Sequence, residues 1–278
     1  MIPTAIGVLA LTAATGYAVL CALFWAAQGR LIFGRTTNVR PLAPGPLADQ
    51  HEVKALWLDV APGVRLEGWV ARPQNGRADK VLLYFGGRNE HVGWAGAMTS
   101  YLGPWSVYAF NYRGFGGSGG NPCEFDAKSD ALQVLDEVRR LEGDAALAPV
   151  VMGRSLGTAM AICVAAQREI TQLVLLSPFD SVRSLLRQRA PLNSVCWLLN
   201  QNFDCIDDAH QVKAPTAILL AAKDQRVPHS HSARLASALG NLQHMSWVAG
   251  TNHKTLPRFA QTQARIAALL NGTASERM

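Results

Sequence analysis

One serine in this chain has neighbours that could make it a nucleophile. Ser155 occurs in Gly153-Arg154-Ser155-Leu156-Gly157, after a short apolar run with two adjacent valines and before a run of helix formers. This pattern predicts a strand, a sharp turn and a helix, which together present a serine hydroxyl above the end of a sheet. Glycines two positions to either side let the strand and the helix approach closely. We therefore expect Ser155 to be a nucleophile.

The Gly-x-Ser-x-Gly pattern occurs a second time, in Gly116-Gly117-Ser118-Gly119-Gly120. The pattern alone is weak evidence, because a chain rich in glycine can match it by chance. The second match is followed by Asn121-Pro122, which is typical of a loop, and not by helix-forming residues. The sequence context therefore favours Ser155 over Ser118.

A serine hydroxyl is a poor nucleophile at neutral pH, so it needs a base within hydrogen-bond reach and an acid that orients the base. Where a serine occupies such a turn between a strand and a helix, the acid and then the histidine follow the serine along the chain. Asp224 follows the apolar run Thr216–Ala222, and His253 follows the last predicted strand. We predict that these two residues complete a triad with Ser155. Asp180, which follows the preceding strand, is the alternative acid.

The other histidines occupy positions that suit a base less well. They lie before the core sheet, in an early loop, in an insert, at the start of a helix or in a strand. In chain order they are His51, His91, His210, His229, His231 and His244. Only His253 occupies the loop after the last strand, so it is the predicted base.

The negatively charged oxygen that forms during acyl transfer needs two backbone N–H donors held in place. The amide of Leu156, directly after the nucleophile and at the start of a helix, should be one of them. The other should come from the turn after the run Val81–Phe85, and we nominate Arg88, with Gly87 beside it. The glycine pair Gly86-Gly87 could instead serve only to permit a tight turn.

The elements around these residues alternate between strands and helices. Two extended runs around Pro62-Gly63 predict a β-hairpin, and later apolar runs predict strands buried on both faces of a parallel sheet. The predicted strands are Ala55–Val60, Val64–Val70, Val81–Phe85, Tyr108–Tyr112, the run before Ser155, Leu173–Ser177, Thr216–Ala222 and His244–Val248, and the predicted helices include Ala127–Leu141, Ser230–Leu239 and Leu256–Leu270. This order predicts an α/β fold with a mostly parallel, doubly wound sheet and ligands at the carboxyl ends of its strands.

The alternation is interrupted between residues 178 and 215. This segment mixes apolar side chains, among them Leu185, Leu186 and Trp197, with basic ones. Its composition predicts a small helical lid above the strand ends. A helix with a longer connection packed on the sheet is the alternative.

The N-terminal segment has the composition of a membrane anchor. Ile2 to Ala27 holds no charged side chain, and as a helix these residues would exceed the roughly 30 Å hydrocarbon core of a bilayer. We predict an anchor at 1–28, a linker at 29–50 that includes Pro41–Pro46, and the main domain at 51–272. A cleaved signal peptide is the competing interpretation, but a basic start and a cleavage pattern are missing.

The residues after this segment suggest its orientation. Trp25 lies where an interfacial aromatic would sit, and Arg30, Arg35 and Arg40 follow it. The positive-inside rule then favours a cytoplasmic main domain, with a lumenal or periplasmic one as the alternative.

Charge and cysteine content exclude some classes of function. The formal net charge is +6, but Lys and Arg are scattered, so a nucleic-acid site is not expected and attraction to anionic lipid headgroups stays open. The five cysteines show no metal-ligand spacing, and a disulfide between Cys196 and Cys205 is left open. We expect neither a cofactor nor a metal.

Taken together, these motifs resemble the α/β-hydrolase superfamily, in particular its membrane-anchored ABHD-like branch. The resemblance covers about residues 56–270. It is carried by Tyr84–Arg88, Asn111–Ser118, Gly153–Gly157, Lys213–Pro228 and Asn252-His253. Similar proteins often have an asparagine where Arg88 stands, and the resemblance implies that the backbone amide at this position is the donor. The resemblance also implies that the loop Tyr112–Gly120 is structural.

These observations lead to an expected function. We expect a membrane-anchored serine hydrolase that cleaves acyl esters or thioesters through Ser155, His253 and Asp224. Its partners would be a small-molecule or lipid acyl substrate and the membrane lipid around the N-terminal helix, with no nucleic acid; the oligomeric state stays open. The alternatives are a serine peptidase or amidase on the same fold and a non-catalytic, membrane-tethered binding module.

Overall fold

The computed structural model describes residues 2–34, 51–74, 78, 80–143, 148–189 and 192–272. The linker predicted at 29–50 lies outside the described residues from Arg35 onward, and so do Arg40 and the Pro41–Pro46 segment. The orientation inferred from those arginines therefore stays a prediction.

The centre of the molecule is one eight-stranded sheet. Its strands are β1 (His51–Ala61), β2 (Val64–Pro73), β3 (Lys80–Phe85), β4 (Trp105–Phe110), β5 (Val150–Arg154), β6 (Gln172–Leu176), β7 (Thr216–Ala221) and β8 (Leu242–Val248). The order across the sheet is β1-β2-β4-β3-β5-β6-β7-β8. The β1–β2 hairpin joins β4 in antiparallel fashion, and all pairs from β4 to β8 are parallel. This confirms the predicted fold class, with β4 ending at Phe110, two residues earlier than expected.

Helices cover both faces of the sheet. They are α1 (Ile2–Phe33), α2 (Thr99–Leu102), α3 (Glu124–Glu142), α4 (Gly157–Gln167), α5 (Val182–Arg187), α6 (Ile206–Gln211), α7 (His229–Ala238) and α8 (Ala260–Asn271). The predicted C-terminal helix is interrupted, because a short 3₁₀ turn at Leu256–Arg258 and an extended Phe259 precede α8.

The apolar run of β3 explains the two-sided core. Successive side chains of a strand point to opposite faces. Leu83 and Phe85 accordingly join a cluster with residues of α3 and α4, whereas Leu82 and Tyr84 join a second cluster that includes Leu102 of α2 and Ile266 of α8. The strand is thus buried on both faces, and the loops at its carboxyl end are held above the core.

The N-terminal helix has an exposed part and a docked part. Within the span 6–33, the most apolar stretch of 18 residues has none of its residues buried. Near the end of the helix, however, Phe24, Ile32 and Phe33 are buried. The Phe33 ring makes edge contacts with Tyr112, Phe115 and Phe203, at centroid distances of 5.5–6.5 Å. The helix continues through residues predicted as linker because its last turn packs on the main domain.

The insert at 178–215 combines both of the predicted arrangements. Helix α5 and two 3₁₀ turns, Leu192–Ser194 and Cys196–Leu198, lie near the strand ends, whereas α6 packs against α4 and α7. Pro191 lies outside the described residues. Cys196 and Cys205 are both buried, and both thiols are free.

Candidate active site

The turn at Ser155 connects β5 directly to α4. Ser155 has a φ of +49°, a left-handed conformation that is costly for a residue with a side chain. Its amide donates to the Leu176 carbonyl of the neighbouring strand at 2.9 Å, which holds the turn in place. The strain therefore persists because the surrounding sheet fixes the backbone.

The two glycines of the motif are required by close contact. A Cβ at Gly153 would lie 2.5 Å from the carbonyl oxygen of Gly157, and a Cβ at Gly157 would lie 2.2 Å from the carbonyl oxygen of Phe85. Neither neighbour is a flexible side-chain end. The sequence reasoning about close approach of strand and helix is thus confirmed, and this approach brings the start of α4 next to the turn after β3.

Ser155, His253 and Asp224 form a chain of hydrogen bonds. The Oγ atom of Ser155 lies 2.9 Å from Nε2 of His253, and Nδ1 of His253 lies 2.8 Å from Oδ2 of Asp224. The side chains of His253 and Asp224 are 9% and 1% exposed. When Nδ1 donates to the carboxylate, Nε2 has a free lone pair that can accept the serine proton. The arrangement can thus perform base-assisted nucleophilic attack.

The position of Asp224 is fixed by the turn after β7. Its Oδ1 accepts from the amides of Arg226 and Val227, both at 2.9 Å. Burial works to raise the pKa of Asp224, but the hydrogen bonds and the charge of His253, together with the Val227 amide, outweigh burial and lower this pKa below its ordinary value. Asp224 is therefore a carboxylate at neutral pH and can orient the imidazole.

Glu90 is a buried carboxylate that the sequence analysis did not identify. Its Oε1 accepts from the Tyr84 hydroxyl at 2.8 Å and from Nε1 of Trp94 at 2.9 Å. Its Oε2 accepts from the Gly87 amide and from Nη1 of Arg154, each at 2.6 Å. Burial, followed by the charge of Glu90, raises the pKa of Tyr84 well above its ordinary value, so this phenol stays a donor. Glu90 thus holds the turn after β3 with four donors.

Arg154, at the variable position of the Gly-x-Ser-x-Gly motif, connects Glu90 to the histidine loop. Its Nη2 donates to the main-chain carbonyl of His253 at 2.9 Å, while its Nη1 bonds Glu90. The Arg154 and Glu90 side chains are 14% and 8% exposed. One guanidinium thus bridges the loop after β3 and the loop after β8. No spacing or periodicity in the sequence relates Glu90 to Arg154, so no sequence signal indicated this bridge.

The geometry distinguishes between the two nominated donors in the turn after β3. The Gly87 amide is already bonded to Glu90. Within the described residues, the amides of Arg88 and Leu156 donate to no protein acceptor, and both residues line the same cavity as Ser155. These two N–H groups are consequently available to a bound oxygen.

The rejected candidates have structural partners. The Ser118 hydroxyl accepts from the Glu67 amide at 2.9 Å and donates to the Asn111 carbonyl at 3.1 Å, inside the glycine-rich loop. Asp180, the alternative acid, bonds Nδ1 of buried His231 at 2.7 Å and Nε of Arg234 at 2.6 Å. Asp180 thus connects the start of the insert to α7 and does not contact His253.

A cavity of about 1140 Å³ lies above Ser155. Its apolar wall comes from the end of α1, from the insert and from the residue after the nucleophile, and includes Phe24, Ile32, Leu156, Phe179, Leu185 and Leu186. Its polar wall includes Arg88, Arg189, Arg226 and Lys254. Among the described residues, no group of histidine, cysteine and carboxylate side chains could hold a metal ion.

Comparison with known proteins gives related sequences and folds. A family model described as "Serine aminopeptidase, S33" matches residues 76–204, which include Ser155 but end before Asp224 and His253. The chain is 30% identical over 236 residues to an uncharacterized protein of Mycobacterium tuberculosis, across 82% of this chain and 81% of the relative. It is 25% identical over 186 residues to the α/β-hydrolase domain-containing protein aho-3 of Caenorhabditis elegans, across 65% of this chain and 55% of the relative.

The solved structures show the same fold. An esterase from Pyrococcus furiosus superposes with a TM-score of 0.64 at 20% identity, across 85% of this chain and 98% of the esterase. At this identity the likeness concerns the fold alone. The family model and the sequence relatives, which agree with the topology of the sheet, establish that the chain belongs to the α/β-hydrolase superfamily and is a hydrolase.

Proposed function

We propose that this protein is a membrane-anchored serine hydrolase of acyl esters or thioesters. The observation that carries the proposal is the continuous chain of hydrogen bonds from Ser155 Oγ through His253 to Asp224. Ser155 attacks the acyl carbonyl while Nε2 of His253 takes the hydroxyl proton. The proton then passes to the leaving alcohol or thiol, and water, activated by the same histidine, releases the acyl group from Ser155.

The amides of Leu156 and Arg88 are the proposed oxyanion donors. Charge on the carbonyl oxygen develops in the transition state, so donors that are already oriented lower the barrier, and removal of one such donor typically costs about 10²–10³ in rate. The Leu156 amide also lies at the N-terminus of α4, where the helix dipole favours negative charge. The Glu90–Gly87 hydrogen bond supports this proposal because it fixes the turn that carries Arg88.

A peptidase is the second candidate, favoured by the description of the matching family model. An aminopeptidase must bind the positively charged amino terminus of its substrate. Among the residues that the structure describes, Glu90 is the only acidic one that lines the cavity, and it is bonded to Arg154. Arg88, Arg189 and Arg226 line the same space and would repel a cation. The charge of the cavity therefore favours an ester or thioester over a peptide with a free amino terminus.

The exposed part of α1 supports the proposed anchor and lipid access. Residues of its apolar stretch are exposed to solvent in the protein alone. Exposure of these side chains to water is unfavourable in free energy, and a bilayer would remove this exposure. The same helix contacts the insert, because the Tyr17 hydroxyl donates to the Ser194 carbonyl at 2.7 Å. Trp25 and Trp197 are exposed on these two elements. This contact would place the insert against the part of α1 that lies in the bilayer, so the mouth of the cavity would open next to lipid, which suits a lipid acyl substrate.

Labelling with a fluorophosphonate probe tests the nucleophile. Wild-type protein in a nonionic detergent should be labelled, and Ser155→Ala should not be. Ser237→Ala, at an exposed position on α7, is the matched control and should be labelled like wild type. Equal labelling of Ser155→Ala and wild type would contradict the enzyme proposal, and so would the absence of labelling in folded wild-type protein.

A substrate panel tests the bond that is cleaved. We expect 4-nitrophenyl esters to be hydrolysed, with kcat/KM increasing with acyl length, and aminoacyl 4-nitroanilides to be cleaved far more slowly. The reverse order would favour the peptidase.

The orientation of the main domain is tested by protease added outside vesicles of known orientation. The protease should leave a cytoplasmic domain intact, and digestion of the domain would place it on the other side of the membrane.

A further inference from the structure

Three arginines from different loops face the cavity above Ser155. Arg88 is in the turn after β3, Arg189 follows helix α5 in the insert, and Arg226 is in the turn after β7. The same three segments, in the same order, hold the proposed oxyanion donor, part of the lid and the proposed acid. We call these three residues the arginine cluster.

The positive charge of the arginine cluster is not balanced by protein carboxylates. Within the described residues, none of the three forms an ion pair, and the only acidic residue of the cavity wall, Glu90, is paired with Arg154. Burial, followed by the charges of Arg226 and Arg189, lowers the pKa of Arg88. Like charges that approach one another in this way destabilise the empty site and favour a bound anion.

Two of the three guanidinium groups are held by main-chain carbonyls and keep most of their donors. Nε of Arg88 donates to the Leu31 carbonyl at the end of α1, and Nη2 of Arg189 donates to the Arg226 carbonyl, both at 2.8 Å. A guanidinium has five N–H donors in a planar fork that matches a carboxylate or a phosphate. Arg88 and Arg189 are thus oriented by neutral acceptors while their charge remains available.

We propose that the arginine cluster binds an anionic group, a carboxylate or a phosphate, of the ester on which Ser155 acts. This inference rests on the proposed function. The apolar wall formed by Phe24, Leu185 and Leu186 lies in the same cavity and accepts the hydrocarbon part of that molecule. The substrate class is therefore an anionic amphiphilic ester, either a lipid with a charged headgroup or a soluble acid ester.

A matched pair of soluble substrates measures the charge preference. 4-Nitrophenyl hexanoate is neutral, and mono(4-nitrophenyl) adipate has the same acyl length with a terminal carboxylate. We expect full-length protein in a nonionic detergent to favour the adipate ester in kcat/KM, and this preference to weaken as salt is raised. Arg189→Ala or Arg226→Ala should each lower the adipate-to-hexanoate ratio about fivefold, the upper range for an exposed ion pair.

Arg187→Ala is the matched control. It removes the same charge two residues from Arg189, at an exposed position on α5 outside the cavity wall. It should leave the ratio unchanged. An equal drop in Arg187→Ala and Arg189→Ala would assign the effect to the general basic surface and overturn the proposal, and so would a ratio that none of the variants alters.

A lipid pair distinguishes the source of the anion. The same variants are assayed on 1-oleoylglycerol 3-phosphate and on 1-oleoylglycerol in mixed micelles. A charge preference that Arg226→Ala reduces only on these lipids assigns the site to a phosphate headgroup. A reduction only on the adipate ester assigns it to a soluble acid, and a reduction on both pairs assigns it to either source.

Binding to Ser155→Ala separates this inference from the proposed hydrolysis. We expect calorimetric binding of 1-oleoylglycerol 3-phosphate to Ser155→Ala to be about fivefold tighter than to Ser155→Ala/Arg226→Ala. If no ester is hydrolysed but this difference is found, the proposed function fails and the anion site stands. If esters are hydrolysed and neither ratio nor binding responds to Arg226→Ala, the anion site fails alone.

Discussion

Replacement of Glu90 by glutamine tests how the site is held together. The carboxylate accepts from four donors, two on each oxygen, and one of them is the Arg154 guanidinium. An amide has one oxygen, so Glu90→Gln presents an NH₂ group to one pair of donors whichever way it is turned. In the better orientation its oxygen faces Gly87 and Arg154, and the buried guanidinium loses its counter-charge.

The expected cost follows from these contacts. A hydrogen bond to a charged group contributes about 1.5–3 kcal/mol, and removal of one partner of a buried ion pair costs about 3–5 kcal/mol. Because Glu90→Gln keeps a neutral acceptor, we expect a loss of about 2–3 kcal/mol in the free energy of unfolding. For a domain of this size that lowers Tm by roughly 4–12 °C. Glu90→Ala, which keeps no acceptor, should lower Tm further.

Activity separates a positioning role from a purely structural one. Glu90 fixes Gly87, which is next to the proposed donor Arg88, so a looser turn should weaken the stabilisation of the transition state more than ground-state binding. We expect kcat on a 4-nitrophenyl ester to fall about 10- to 100-fold, less than the loss of a whole oxyanion donor, while KM changes little.

Differential scanning fluorimetry measures Tm, and steady-state kinetics at a temperature below the variant's Tm measure kcat and KM. Glu137→Gln, which alters a surface pair with Arg140, is the control and should change neither quantity. A lower Tm with unchanged kcat would refute the positioning role, and an unchanged Tm would refute the buried network itself.

Three further predictions follow from other contacts. Gly157→Ala should abolish labelling of Ser155 and the yield of folded protein in detergent, because its Cβ would meet the Phe85 carbonyl, whereas Gly240→Ala, with nothing within 4 Å, should behave like wild type. Phe33→Ala should cost about 3–5 kcal/mol in the free energy of unfolding, measured by denaturation in detergent, whereas Phe125→Ala, at an exposed position, should cost little. Because the pKa of Asp224 is lower in the folded protein than the unfolded value of about 3.9, its stabilisation is present above about pH 4 and is lost as pH falls through the folded pKa. The difference in Tm between wild type and Asp224→Asn should therefore shrink from pH 5 to pH 3, and a constant difference would contradict the lowered pKa.

The sequence predicted those parts of the fold that repeat a simple pattern. Strands such as β3 could be predicted because burial of both faces requires a short apolar run. The turn and helix at Ser155 could be predicted because their close contact requires the two glycines of the motif. Asp224 and His253 could be nominated because they lie in the loops after two predicted strands. The alternation of elements predicts a parallel sheet, and this places both loops at the edge formed by the carboxyl ends of the strands.

The sequence could not predict contacts that depend on distant parts of the chain. Phe33 lies in the segment predicted as linker, yet its ring packs with Tyr112, Phe115 and Phe203 of the main domain. Asp180 follows a strand just as Asp224 does, and only the packing of α7 shows that His231 is its partner. No periodicity or spacing relates these residues, so tertiary structure alone reveals the pairs.

Arg154 shows how the motif and the distant contacts depend on one another. The pattern Gly-x-Ser-x-Gly leaves this position free, because the turn requires only the glycines and the chemistry requires only the serine. In this chain the position carries a planar side chain with two forked N–H groups, one bonded to Glu90 and the other to the His253 carbonyl. Lysine has a single ammonium centre and could not present this fork. The residue before the nucleophile therefore couples the proposed oxyanion turn to the loop of the proposed base, so the relative position of these two loops depends on the strand that also carries Ser155.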